Sequence, residues 1–318
     1  MRTFLGEHSN RLDESKFFRA NPMKNVFLCF VFFLTGMGLV RGDFQERERA
    51  MALSKAGDHK AAMEIFVKLA ASGKDGTRQA ENLLQAARCA QKMGDYPKAM
   101  ELAGQIPSEP YATFCKMEIL RSSGGREELL AMAGDIDFTT WPEKLIYPAL
   151  IMRGEAYLAE GKTDEAEADF LEAARHTLSL QQKARTILCL AEVHAAAGKS
   201  PEEVLATYGR IVEMAPKGGG VLQRAHLARA RIFAAKGQEE PAIAEIVAVE
   251  PFGSKDEYWV AATNLTYGQV FEALGKTSEA EAYYQKVVDL AAPSKEILDE
   301  AKARLRTLRA AGEKSQKP

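Results

Sequence analysis

The sequence predicts an all-α fold, a right-handed α-solenoid of helix-turn-helix repeats closed by a C-terminal capping helix. Three observations predict it. The decapeptide Gly161-Lys162-Thr163-Asp164-Glu165-Ala166-Glu167-Ala168-Asp169-Phe170 returns as Gly275-Lys276-Thr277-Ser278-Glu279-Ala280-Glu281-Ala282-Tyr283-Tyr284. Glycines at 57, 94, 125, 161, 198, 237 and 275 follow one another at spacings of 37, 31, 36, 37, 39 and 38 residues, and a near-fixed period of this size marks stacked repeats. From Phe44 to Ala311 apolar residues recur at three- and four-residue steps, as at Leu150, Gly154, Tyr157 and Leu158, without the alternation of a strand.

Residues 1–42 read as an N-terminal extension and signal peptide. Val26 to Val40 is a run of fifteen uncharged residues, with Lys24 before it and Arg41 after it. A bilayer-spanning helix needs roughly 20 apolar residues, so this length fits the hydrophobic core of a secretory signal. Small residues suited to cleavage stand at Gly36-Met37-Gly38 and Val40-Arg41-Gly42. An uncleaved inner-membrane anchor over 26–40, or a buried helix, is the alternative. Residues 1–22 are polar, and Met23-Lys24 would make a conventional start. The expectation is a periplasmic or secreted chain with no integral membrane span after cleavage.

The repeats follow over 43–311, at about 43–76, 80–108, 109–140, 147–180, 184–217, 223–253 and 261–293. Each glycine ends one helix in the left-handed conformation. A nearby Asp, Ser or Thr, such as Thr163 or Thr277, is then placed to cap the next helix. The unit at 109–140 is degenerate. Gly124-Gly125 is in place, but its second helix, Glu127 to Ala133, is short and stops at Gly134. Pro142 and Pro148 should delay the helix after it, so an irregular joint is expected here. Lys217-Gly218-Gly219-Gly220 reads as a flexible connector. Ile297, Leu298, Ala301, Leu305 and Leu308 share one side of a capping helix over 294–311, and 312–318 reads as a disordered tail.

Numbered so that the turn glycine is position 15, the units share a register. Around Gly161 stand Gly154 at 8, Tyr157 at 11, Ala166 at 20, Phe170 at 24 and Ala173 at 27; around Gly275 stand Gly268, Phe271, Ala280, Tyr284 and Val287. In this pattern the chain resembles the tetratricopeptide repeat, whose period is 34 residues. It departs from that family in having no Trp at position 4, where Leu83, Leu150, Ile187, His226 and Asn264 stand, and in its longer period. Small residues at 8 and 20 let the two helices of a unit approach closely. Aromatics at 11 and 24 should fill the gap to the next unit, because no single unit can bury its apolar face alone. Ala166→Trp is therefore expected to overpack this contact and lower stability by about 1–3 kcal/mol. Thermal unfolding checks it, and a melt matching the parent would refute the register.

Composition excludes several classes. Of the 318 residues 46% are hydrophobic, enough for a packed core, and 42 basic against 44 acidic residues leave a net charge of −2. That balance gives no reason to expect a nucleic-acid partner. Cys89, Cys115 and Cys189 lie in apolar helical stretches and read as small buried hydrophobes, with a Cys89–Cys115 bridge as the alternative. Gly-Lys-Thr at 161 and 275 and Gly-Lys-Ser at 198 imitate the end of a phosphate-binding loop. The glycine required five residues earlier is replaced by Ala156, Val270 and Val193. The five histidines show no metal-ligand spacing, and no nucleophile-type turn picks out a catalytic set. No catalytic, cofactor-binding or metal residue is assigned, and no cofactor is expected. Asn264-Leu265-Thr266 matches a glycosylation sequon but falls mid-helix.

The resemblance implies that the first helix of each unit lines a concave groove, with position 9 facing it. Here position 9 holds Arg88, Glu155, Glu192, Arg231 and Gln269. These are the candidate partner-binding residues; ordinary solvated helix faces are the competing reading. Position 5 holds Leu84, Ile151, Leu188, Leu227 and Leu265, so the Lys/Asn/Arg clamp by which some members hold a C-terminal carboxylate is absent. The expected function is non-enzymatic: a scaffold or adaptor of the cell envelope that binds a protein or peptide partner. The alternatives are a targeting or regulatory solenoid for a cell-wall enzyme, or a self-associating structural module that forms a homo-oligomer.

Overall fold

A computed structural model describes residues 43–72, 75–216, 219–253, 256–291 and 294–315. The expected signal over 26–40 and the Lys217-Gly218 half of the connector lie outside the described residues. The helices group into two compact units, Met1–Leu102 and Ala103–Pro318, where the sequence reads as one run over 43–311. Among the described residues there is no strand. None of their helices is long and apolar enough to cross a membrane.

The first unit contains α1 (43–55), α2 (His59–Ser72), α3 (Gly76–Lys92) and the start of α4 (Tyr96–Gly104). Ala50, Ala62, Phe66, Ala80 and Ala87 are fully buried in it. Arg47 of α1 reaches Glu81 of α3 at 3.3 Å. The second unit stacks helix pairs in chain order: α5 (Glu109–Ser123) with α6 (Arg126–Ala133), α7 (Glu143–Ala159) with α8 (Thr163–Arg175), and α9 (Leu180–Ala196) with α10 (Pro201–Met214). After them come α11 (Gly220–Ala235) with α12 (Glu239–Val247), the short α13 (Glu250–Gly253), α14 (Glu257–Ala273) with α15 (Thr277–Val288), and α16 (Lys295–Ser315). Each second helix packs on its own first helix. The first helices α7, α9, α11 and α14 also touch in succession, and α16 closes on α14 and α15.

The turn inside each pair is one device repeated. Gly161 has φ +73° and Gly275 +72°, a conformation that costs a residue with a Cβ roughly 1–2 kcal/mol. The next backbone N–H turns back onto the preceding helix: Lys162 N donates to Tyr157 O at 2.9 Å, and Lys276 N to Phe271 O at 2.8 Å. This is the Schellman closure, which satisfies carbonyls that the helix end leaves unpaired. Two expectations are corrected here. At the third turn the left-handed residue is Gly124, φ +85°, and not Gly125. Thr163 and Thr277 do not cap, because each is already the first helical residue, one place beyond the cap position held by Lys162 and Lys276. Asp58 and Asp95, each directly after a turn glycine, do cap the next helix as expected; further side-chain caps stand at Asp75, Ser179, Asp256 and Ser200, and Ser200 forms a reciprocal capping box with Glu203.

Position 24 has a further use besides the expected one. Phe170 and Tyr284 are fully buried; Tyr284 packs in one cluster with Ala301 and Leu305 of the next helix, and each ring also packs on a glycine of its own pair. A Cβ built on Gly154 would lie 2.5 Å from Phe170 Cε1, and one on Gly268 would lie 2.4 Å from Tyr284 Cε1. The glycine at position 8 is the socket for the aromatic at position 24 of the same pair. Position-11 residues Tyr157, Phe233 and Phe271 are only half-buried.

The irregular joint at 109–140 is present, and one side chain organises it. After α6 the chain passes through a 3₁₀ turn, Phe138–Thr140, before α7. Arg153 of α7 forms a two-pronged pair with Asp169 of α8, at 2.9 and 2.7 Å. Its Nη1 donates to the carbonyls of Ala133, Gly134 and Ile136, at 2.9, 3.1 and 2.7 Å. The guanidinium lies 4.4 Å from the centroid of the buried Phe138 ring. Burial pushes the Asp169 carboxyl up, and the Arg153 guanidinium opposes that shift. Pro148 does not delay α7 but stands inside it. The flanking Leu145, Ile146, Tyr147, Ala149 and Leu150 are all buried, and packing on every side outweighs the one hydrogen bond the proline removes.

At the C-terminal end α16 buries Ala301 and Leu305 against α15. It runs to Ser315 instead of ending at Ala311, because one glycine in a helix costs only about 1 kcal/mol. Residues 316–318 lie outside the described residues. In the expected connector, Gly219 is the cap residue of α11 and Gly220 its first residue, beneath Trp259.

Candidate functional site

Of the five position-9 residues, Arg88 belongs to α3 in the first compact unit. The other four lie on the first helices of the second unit, where three of them are joined to neighbouring helices as rungs. Glu155 of α7 receives Arg121 of α5 at 3.1 Å and Arg185 of α9 at 2.7 Å. Glu192 of α9 receives Arg224 of α11 at 2.6 Å. Gln269 of α14 donates to Glu300 of α16 at 2.8 Å, and Glu300 also holds Arg304 at 3.0 Å. The register explains these partners. Arg185 and Arg224 both stand thirteen residues before their turn glycines, Gly198 and Gly237, so position 9 of one unit meets position 2 of the next. Arg185 and Arg224 are the site residues that sequence reasoning missed, and the repeat register carried the signal for both.

Arg231 breaks the rule. The position-2 residue opposite it is Ala262, which has nothing to offer. Among the described residues Arg231 forms no ion pair; its Nη1 donates to the neutral amide oxygen of Gln269 at 3.2 Å. A groove of about 270 Å³ opens at this place, between α9, α10, α11, α14 and α16. Its floor carries Glu192, Arg224 and Arg231, and its walls include Tyr208, Tyr258, Trp259 and Ile297. Tyr258 and Trp259 meet edge to face, their centroids 5.1 Å apart, and Tyr258 is 46% exposed.

Arg231 and Arg224 are exposed and Glu192 is half-buried. Desolvation by the neighbouring side chains holds the Arg231 guanidinium below its ordinary value. Burial raises the Glu192 carboxyl, and Arg224 works against that rise. The Tyr208 hydroxyl and the Cys189 thiol are each pushed up to about 12 by burial. Cys89, Cys115 and Cys189 are all buried free thiols. The thiolate is the reactive form of a cysteine, so Cys189 is expected to resist iodoacetamide at pH 8 in the folded chain and to react fully in denaturant. Mass spectrometry of the Cys189 peptide checks this; modification without denaturant would show that the thiol is not buried as described.

A second depression, about 430 Å³, lies over α14 and α15 beside Glu250, Trp259, Tyr267, Tyr283 and Lys286. Its ring faces are already used, since Tyr267 and Tyr283 stack at 4.6 Å and Lys286 Nζ sits 3.8 Å over the Tyr283 ring. Along the turns runs another set of pairs: Glu167 with Lys199 at 3.3 Å, Glu202 with Lys236, and Glu239 with Lys276 at 2.5 Å. Lys199 and Lys276 belong to Gly-Lys turns, so these contacts between successive units give two of the three Gly-Lys pairs a structural use. Among the described residues no group of His, Cys, Asp and Glu is placed to hold a metal ion.

The tetratricopeptide-repeat family pattern matches residues 147–175 and 261–293. No curated protein is similar to the chain in sequence. Among solved structures, a tetratricopeptide repeat protein from Parabacteroides merdae is 16% identical. The match covers 84% of this chain and 98% of that one, with a TM-score of 0.61, and shows a shared fold. Pseudomonas aeruginosa pilF is 14% identical over 72% of this chain and 99% of its own, with a TM-score of 0.48.

Proposed function

For a chain that is a tetratricopeptide-repeat protein, we propose a non-enzymatic role: an interaction scaffold of the cell envelope that binds a protein segment along the first-helix face of its second compact unit. One observation carries this reading. The first helices are linked rung by rung into a polar face, and that face is interrupted by a groove lined by aromatic and charged side chains. Such a groove matches what a peptide-binding site needs: apolar area for affinity and a few placed polar groups for orientation. The envelope location rests on the apolar run 26–40.

Two measurements test the two halves. A photo-crosslinking amino acid replaces Glu155 or Gln269 on the first-helix face, or Glu202 at the turns, in cells expressing the full chain. Adducts to another protein from the first two positions, and none from the third, are the expected outcome. Equal adducts from all three, or adducts only to a second copy, overturn the binding face. Residues 1–42 fused to a reporter enzyme active only outside the cytoplasm should yield activity, and an inactive fusion overturns the location.

A further inference from the structure

The rungs on the first-helix face follow one rule, and the groove lies where the rule fails. At Glu155 and Glu192 a carboxylate on position 9 is answered by an arginine on position 2 of the next unit, at 2.7 and 2.6 Å. At Arg231 the sign is reversed and the answering residue is Ala262. A methyl group stands where the neighbouring rungs have a charged side chain, and the vacated space is part of the 270 Å³ groove that Ala262 itself lines. Arg231 is left with the neutral Gln269 amide for a partner, and it is exposed, open to a carboxylate brought from outside. Beside it, Tyr258 is 46% exposed, and Leu265 and Ile297 complete an apolar flank.

We propose that a partner protein supplies the missing rung. An Asp or Glu side chain within an extended segment pairs with Arg231, and an adjacent aromatic or branched apolar residue rests against Tyr258, Leu265 and Ile297. This rests on the binding face proposed above and names the chemistry that the face selects. The guanidinium fork donates two parallel hydrogen bonds to a carboxylate. Glu192 is already engaged by Arg224, so among the described residues lining the groove one cation, Arg231, lacks an ion-pair partner, enough for one side-chain carboxylate. Position 5 offers none of the converging donors of a chain-terminus site, since it is leucine or isoleucine on α7, α9, α11 and α14.

The test uses the full chain and a library of N-acetylated, C-amidated nonapeptides. Selected sequences should be enriched in Asp or Glu with an aromatic or branched residue within three positions. Arg231→Gln keeps a donor for Gln269 but removes the charge. Ala262→Glu supplies the rung from within. Each should weaken the selected peptides by about tenfold to a hundredfold, the range for a hydrogen-bonded charge, with melting temperature unchanged for Arg231→Gln. Tyr258→Ala should erase the aromatic preference and keep the acidic one. Selected peptides without acidic enrichment, or acidic peptides that Arg231→Gln binds as well as the parent does, overturn this inference and leave the binding face standing. Equal affinity for peptides whose only carboxylate is the free C-terminus overturns the internal-acid assignment. Selection of no peptide, or self-association that Arg231→Gln abolishes, overturns the inference and the proposed segment-binding function together.

Discussion

Arg153→Ala should lower the stability of the second compact unit by about 3–5 kcal/mol, the cost of leaving a buried partner charge unanswered. The expected readout is a fall in the urea midpoint at unchanged slope. The guanidinium does two jobs. It neutralises Asp169, which is almost completely buried, and it satisfies three carbonyls at Ala133, Gly134 and Ile136. Arg153→Lys keeps the charge but cannot spread five hydrogen bonds over a planar fork, so it should recover less than half of the loss. The pair Arg153→Met with Asp169→Leu separates the two jobs. Removing both charges lifts the penalty on Asp169 while the three carbonyls remain unserved. The double variant should therefore be more stable than Arg153→Ala and less stable than the parent. A double variant equal to the parent would show that the carbonyl contacts contribute nothing.

The second large effect is expected at the aromatic socket. Phe170→Ala should cost about 3–5 kcal/mol, as for other buried phenylalanines. Gly154→Ala should cost about 1–3 kcal/mol for the opposite reason, since its methyl would lie 2.5 Å from the ring. The two changes share one space, so they should not add. With Phe170 truncated, the methyl on Gly154 meets no ring and replaces part of the lost contact, and the double variant should be less destabilised than Phe170→Ala alone. Additive losses in urea unfolding would show that the ring and the glycine are not packed on one another.

What the sequence shows of this architecture, and what it hides, follows from how far each contact reaches along the chain. The turns were legible because a left-handed residue strongly favours glycine, so Gly161 and Gly275 announce themselves. The packing positions were legible because Ala166 and Phe170 repeat as Ala280 and Tyr284. That the aromatic also meets a glycine of its own pair was not legible, since a periodic pattern places a residue on a face without saying whether its own pair or the next one fills that space. The Arg153 network was hidden for another reason. Its acceptors are backbone carbonyls of an irregular segment, and a carbonyl carries no side-chain signature. The rungs were half legible: position 9 stood out, but its partners Arg185 and Arg224 lie about one unit further on and emerge only when position 2 is read against it.

The first helices of successive pairs set a step length for any segment laid across them. Packed helices lie roughly 8–10 Å apart, and an extended chain rises about 3.3 Å per residue. A partner crossing α9, α11 and α14 therefore meets a new helix about every third residue. Its recognised side chains would recur with a period near three, distinct from the two of a strand face and the 3.6 of a helix, so a face that binds as proposed would read spacing as well as charge.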